Sequence, residues 1–137
     1  MGFEKFGRRS FTAMTKTAKF VELLGQGKIE GTVCTKCSAK YFPPRADCSA
    51  CLSKEMDWFE MPQKGKLETF TTAQYAPFGF EADPPYTMGV VDFGNGLKLF
   101  ARLEKGLPSE DVKVGMDVSV KPLTYDDGQL SFEITKA

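Results

Sequence analysis

Apolar and polar positions change rhythm three times along this chain. Over residues 16–25, Phe20, Val21, Leu23 and Leu24 recur at helical spacing, which predicts one short amphipathic helix. Thr15 or Thr17 can cap its start, and Gly25 and Gly27 can stop it. A helix of that length is not stable alone, so its stripe must pack on something. From residue 65 onward the period falls to two. Leu67, Thr69 and Thr71 alternate with Phe70 and Thr72 in a first strand. Residues 87–93 and 97–103 form two more, joined at Gly94-Asn95-Gly96, where glycine and asparagine tolerate positive φ. A fourth strand is expected over Val112–Pro122, interrupted by Gly115. A last one is expected over Gln129–Thr135, after the turn Asp126-Asp127-Gly128. Ahead of the helix, Phe3, Phe6, Phe11 and Met14 stand among basic residues. They predict a docking segment with a short helical turn, or on the plainer reading a mobile tail. Met14 also offers a second start position.

Five short strands with these turns make the chain mainly β and fit an OB-fold barrel, although other small barrels share the periodicity. The expected organisation is an N-terminal helical docking segment over 1–27, a metal ribbon over 28–60 and a barrel over 61–137. The longest apolar runs are only a few residues, which excludes a membrane-spanning helix.

Between helix and barrel lie Cys34-Thr35-Lys36-Cys37 and Cys48-Ser49-Ala50-Cys51, separated by ten residues. Two thiolates at that spacing grip one metal from a tight knuckle, and two knuckles complete a tetrahedron. The spacer is long enough for a β-hairpin. All four cysteines of the chain are used, so Cys34, Cys37, Cys48 and Cys51 are the expected ligands of one structural Zn2+, with rubredoxin-like iron as the rival. Four thiolates leave no coordination position for substrate. A catalytic redox pair is disfavoured because both pairs are present without a thioredoxin-like βαβ pattern. Zinc with four thiolates carries a charge of about −2. Lys36, Lys40, Arg45 and Lys54 lie nearby to offset it, with anion binding as their second use.

Charge and composition narrow the function. The net charge is zero, but residues 1–20 hold five basic side chains against one acid, while residues 65–137 hold seven against eleven. An acidic barrel is the wrong sign for a nucleic-acid binder. The absence of histidine removes the commonest general base and every Cys-His or Ser-His pair. Gly7-Arg8-Arg9-Ser10-Phe11 resembles a twin-arginine export signal, but polar and basic residues follow where an apolar stretch is required. The expected location is therefore the cytoplasm, where thiols stay reduced and bind metal rather than form disulfides.

Several segments in order carry a resemblance. Gly25-Gln26-Gly27-Lys28-Ile29-Glu30-Gly31 leads into Cys34-x-x-Cys37. Tyr41-Phe42-Pro43-Pro44-Arg45 precedes Cys48-x-x-Cys51. Gly65-Lys66-Leu67-Glu68-Thr69-Phe70-Thr71 opens the barrel, Pro84-Pro85-Tyr86 precedes the next strand, and Val114-Gly115-Met116-Asp117-Val118 comes near the end. Over residues 16–135 the chain resembles the zinc-ribbon/OB-fold proteins associated with acyl-CoA metabolism. The resemblance implies a helical segment, a rubredoxin-like ribbon and an OB barrel. It also implies a non-catalytic accessory subunit that docks on a thiolase-fold or hydroxymethylglutaryl-CoA-synthase-type enzyme as a hetero-oligomer. Such a subunit would help bind or shield the CoA thioester. Settings of the family include an archaeal complex and the small zinc-finger subunit of benzoylsuccinyl-CoA thiolase in anaerobic aromatic degradation.

That role needs an exposed apolar surface and cations for CoA phosphates. The expected partner interface comprises Phe3, Phe6 and Phe11 with Phe78, Phe80 and Tyr86, the last three from the aromatic- and proline-rich segment Tyr75–Tyr86. The competing reading has Phe78 and Phe80 plugging the barrel. For CoA or acyl-CoA the expected contacts are Arg45, whose backbone the preceding prolines stiffen, with Lys36 and Lys40. Two rival functions remain: a single-stranded nucleic-acid module, and a stand-alone rubredoxin-like redox protein.

Overall fold

The computed structural model describes residues 2–8 and 15–137. Phe11 and Met14 lie outside the described residues. The chain divides into two compact units, Met1–Met61 with Thr124–Ser131, and Pro62–Leu123 with Phe132–Ala137.

The first unit opens with a single 3-10 turn, Phe3–Lys5, rather than a regular helix. Helix α1, Lys19–Gly25, buries Phe20, Val21, Leu23 and Leu24, the four residues of the predicted stripe. It starts three residues later than predicted, because the Thr15 hydroxyl accepts from the Thr17 N–H and closes a separate turn first. Its end is a Schellman motif. Gly27 takes φ +82° and donates to the Leu24 carbonyl, while the Lys28 N–H reaches back to Leu23 at 2.8 Å. Phe20 stands at the centre of an aromatic cluster, its ring 6.2 Å from Phe3 and 5.8 Å from both Phe6 and Phe42. The segment carrying Phe3 and Phe6 is tied down further. The Gln129 side-chain amide donates to the carbonyls of Glu4 and Gly7, and the Gly7 N–H donates to Leu130.

The rest of this unit is a three-stranded antiparallel sheet in the order β2-β1-β3, formed by β1 (Glu30–Cys34), β2 (Lys40–Tyr41) and β3 (Met56–Glu60). No hairpin fills the spacer between the cysteine pairs. Its two paired residues instead belong to a hairpin with β1 that encloses the first pair. A side chain at Gly31 would collide with the Tyr41 carbonyl, so only glycine lets β2 approach there.

The second unit is a five-stranded sheet in the order β6-β5-β4-β7-β8, from β4 (Lys64–Ala73), β5 (Tyr86–Asp92), β6 (Lys98–Arg102), β7 (Asp117–Thr124) and β8 (Leu130–Lys136). A single parallel bridge, Leu103 to Ile134, brings the two edges together, and the Glu104 N–H donates to the Ile134 carbonyl at 2.8 Å. The result is the nearly closed barrel of an OB-fold. Leu67, Val91, Leu99, Val118 and Ile134 fill its interior. Gly65 and Gly89 keep β4 and β5 close, since a Cβ at Gly89 would sit 2.8 Å from the Leu67 Cδ1.

Two strand expectations need correction. Glu68 is an extra residue in β4: Leu67 faces Val91 and Thr69 faces Val90. This bulge resets the alternation, so Leu67 is buried and Phe70 half-buried while Thr69 and Thr71 are exposed. The fourth strand begins at Asp117, not Val112. A 3-10 turn at Ser109–Asp111 and Gly115 at φ +87° occupy the approach, and the Gly115 N–H donates to the Leu67 carbonyl at 2.7 Å.

Candidate metal centre

The two cysteine knuckles repeat one backbone design fourteen residues apart. In the first, the Cys34 N–H donates to Ala39, the Ser38 N–H returns to Cys34, and Ser38 takes φ +64°. In the second, Cys48 donates to Ser53, Leu52 returns to Cys48, and Leu52 takes φ +63°. Each turn also aims an N–H at its leading sulfur, Cys37 to Cys34 and Cys51 to Cys48, both at 3.5 Å. Cys34 and Cys48 are buried and Cys37 and Cys51 exposed.

All four sulfurs lie within 4.8 Å of one another, and the Cys34–Cys51 and Cys37–Cys48 pairs are 3.5 Å apart. A tetrahedral zinc with Zn–S bonds of about 2.3 Å places its sulfurs about 3.8 Å apart, so the constellation fits the ion. The titration of the thiols points the same way. The Tyr41 hydroxyl, helped by the Cys51 N–H, pulls the Cys48 thiol down to about 6, and the Cys37 N–H lowers Cys34. Cys37 feels a lowering hydrogen bond from Ala39, yet the Cys48 sulfur beside it pushes it up to about 12. Cys51, with Ser53 lowering and the Cys34 sulfur raising, also ends above its ordinary value. Thiols this close cannot all ionise without a cation between them, and one divalent ion removes the conflict. The site holds one structural zinc on Cys34, Cys37, Cys48 and Cys51.

The cations expected to meet CoA each have a neighbour within the chain. Lys36 lies 3.7 Å from the Glu55 carboxylate, Lys40 stands over the Phe59 ring at 5.0 Å, and Arg45 over the Tyr41 ring at 5.1 Å. The Arg45 backbone is fixed by Thr32, which sequence reasoning missed. The buried Thr32 hydroxyl accepts from the Arg45 N–H at 2.8 Å and donates to its carbonyl at 3.0 Å.

The expected interface residues separate into groups. Phe3 and Phe6 are half-buried in the aromatic cluster of their own unit. Phe78 is 78% exposed, and Tyr75 nearby is 85% exposed. Phe78 therefore does not plug the barrel, while Phe80 is half-buried. Phe80 and Tyr86 flank Arg102, whose guanidinium is 5.2 Å and 4.0 Å from their ring centres. Arg102 donates to the buried Asp83 carboxylate at 2.7 Å. This ion pair, also missed from sequence, anchors the 74–85 loop to β6.

Two family models match the chain: the rubredoxin-like zinc ribbon domain of ChsH2 over residues 21–57, and its C-terminal OB-fold domain over residues 58–121. A DUF35 domain-containing scaffold protein of Methanocaldococcus jannaschii is 33% identical over 89 residues, 64% of this chain. The benzoylsuccinyl-CoA thiolase subunit BbsA of Thauera aromatica is 30% identical over 76 residues, 56% of this chain. The chain spans 62% and 51% of those two proteins' lengths. Among solved structures, the Ltp2-ChsH2(DUF35) aldolase superposes with a TM-score of 0.76 at 22% identity, covering 92% of this chain and 98% of that one. At that identity the likeness is one of fold.

Proposed function

The chain carries both domains of the ChsH2 type, the zinc ribbon and the C-terminal OB-fold, and from that premise we propose that it is a non-catalytic accessory subunit of a thiolase-type acyl-CoA enzyme. The observation that carries the reading is the pair of relatives that this chain matches, one named a scaffold protein and the other a thiolase subunit. The chemistry of the chain agrees with it. The zinc is closed by four thiolates, which leaves it structural, and the sequence offers no histidine for acyl transfer. The complex is a hetero-oligomer in the cytoplasm, where the four thiols remain reduced for metal. No helix among the described residues is long and apolar enough to cross a membrane.

In the finer reading, Phe78 is the centre of the partner interface, together with the exposed Tyr75 and with Phe80 and Tyr86, which flank Arg102. An ordered loop that presents aromatic side chains loses little conformational entropy on docking. The proposed interface also includes Phe3, Phe6 and Phe11, the last of which lies outside the described residues. Arg45, with Lys36 and Lys40, faces the CoA phosphates. The nucleic-acid alternative is disfavoured on the barrel, where Lys66, Lys98 and Arg102 lie 2.6, 2.6 and 2.7 Å from Asp117, Glu68 and Asp83. The test is co-purification of the tagged chain at native level, followed by assay of each fraction. A thiolase-type enzyme should come along and lose solubility or rate when the chain is removed. Turnover of an acyl-CoA thioester by the chain alone, free of other enzymes, overturns the proposal.

A further inference from the structure

The two knuckles share a backbone but not a surrounding. The first is gripped by sheet on both sides, because Cys34 is the last residue of β1 and the strand that follows, β2, pairs back onto β1. The second lies in the strandless stretch between β2 and β3. Besides the Cys34 and Cys37 sulfurs, the side chain of Tyr41 on β2 reaches it. The Tyr41 hydroxyl lies 3.2 Å from the Cys48 Sγ, 3.1 Å from the Ser49 N–H nitrogen and 3.1 Å from the Ser49 Oγ.

A phenol has one proton to donate and accepts through its oxygen. The Ser49 backbone N–H can only donate, so it fixes the Tyr41 oxygen as an acceptor. The Ser49 hydroxyl carries its own proton and can donate to the same oxygen. The metal-bound form of Cys48 is a thiolate, which has no proton and can only accept. The arrangement that satisfies every group therefore sends the Tyr41 proton to the Cys48 sulfur. The ring is held for this task by its pairing with Thr32 across β1 and β2 and by the Arg45 guanidinium 5.1 Å above it.

We propose that Tyr41 is a positioning residue of the zinc site: its O–H donates to the Cys48 thiolate and ties the second knuckle to the ribbon sheet. Groups hydrogen-bonded to metal ligands hold them at the metal, and their loss typically costs roughly 10–100-fold in affinity. Tyr41→Phe removes the hydroxyl and keeps the ring. In the full chain, competition with a chelator of known zinc affinity should show binding weakened roughly 10–100-fold. One zinc per chain should still be taken up at saturation. Cobalt substitution gives a readout that packing alone would not move. With the O–H···S bond gone, the sulfur-to-cobalt charge-transfer band should shift to lower energy, because the thiolate becomes more electron-rich. Ser49→Ala keeps the O–H···S bond and should leave that band in place. A Tyr41→Phe protein with zinc affinity within about twofold of wild type overturns the proposal. So does weakened zinc binding with an unchanged cobalt band, which would make Tyr41 a packing residue only.

Discussion

The ribbon unit has three short strands, none longer than five residues, a seven-residue helix, and two cysteines among its buried side chains. The barrel unit has strands of up to ten residues around Leu67, Val91, Leu99, Val118 and Ile134, all almost fully buried. Burying such a side chain contributes about 1.5–3 kcal/mol. The barrel thus has an interior of the ordinary kind, while the ribbon sheet converges on four thiols that repel one another once ionised. The two units are nearly equal in length, so the contrast is one of placement: the ribbon unit's buried apolar side chains gather on Phe20, Val21, Leu23 and Leu24 of α1, and the cysteine knuckles rely on the metal to close.

Four experiments break or sharpen that contrast. The largest effect should come from removing the metal. Chelation, or Cys48→Ser, should abolish stoichiometric zinc and expose the amides of β1 and β3 to hydrogen exchange, because zinc binding and folding are coupled in such sites. Amides of Val91 and Leu99 should keep their protection, and their simultaneous loss would show that the barrel also depends on the metal. Next in size, Leu67→Ala should cost the barrel about 2–5 kcal/mol in denaturant unfolding. Zinc content should stay at one per chain. Arg102→Met comes third. It leaves the buried Asp83 carboxylate without its charge partner, at about 2–3 kcal/mol, below the usual range for breaking a buried pair because Arg102 is partly exposed. Restoration by Asp83→Asn in the same chain would confirm that the unpaired charge is the cause. Phe78→Ala should move stability by no more than about 0.5 kcal/mol, as expected for an exposed side chain. It should weaken binding to the partner enzyme about thirtyfold, or about 2 kcal/mol.

The metal centre was legible in the sequence because its information is local. A Cys-x-x-Cys pair is one turn of backbone, and two pairs specify four ligands without knowledge of the rest of the fold. The helix stripe was legible for the same reason. The barrel was legible only in outline. Alternation located the strands, but one inserted residue at Glu68 reverses every face after it, and a left-handed Gly115 delays β7 by five residues against the expected start. Contacts between distant residues were invisible. Thr32 and Arg45 are thirteen residues apart, Asp83 and Arg102 nineteen, and nothing in either neighbourhood marks the partner. The aromatic residues at the start of the chain show the same limit: nothing in the sequence says that Phe3 and Phe6 lie beside Phe20.

The barrel's seam has a kinetic consequence. Along β4 and β5, seven residue pairs share the ladder, but among the described residues Leu103, which follows β6, makes a single bridge to β8 at Ile134, closed by the Glu104 N–H on the Ile134 carbonyl. Opening that one rung frees the Glu104 amide without disturbing the buried side chains of Val91 or Leu99. Hydrogen exchange at Glu104 should then follow a fast local fluctuation, while the central strands exchange only through global unfolding. A barrel hinged in this way breathes along a fixed line, and Leu103 and Ile134, both buried, are the side chains that each opening wets first.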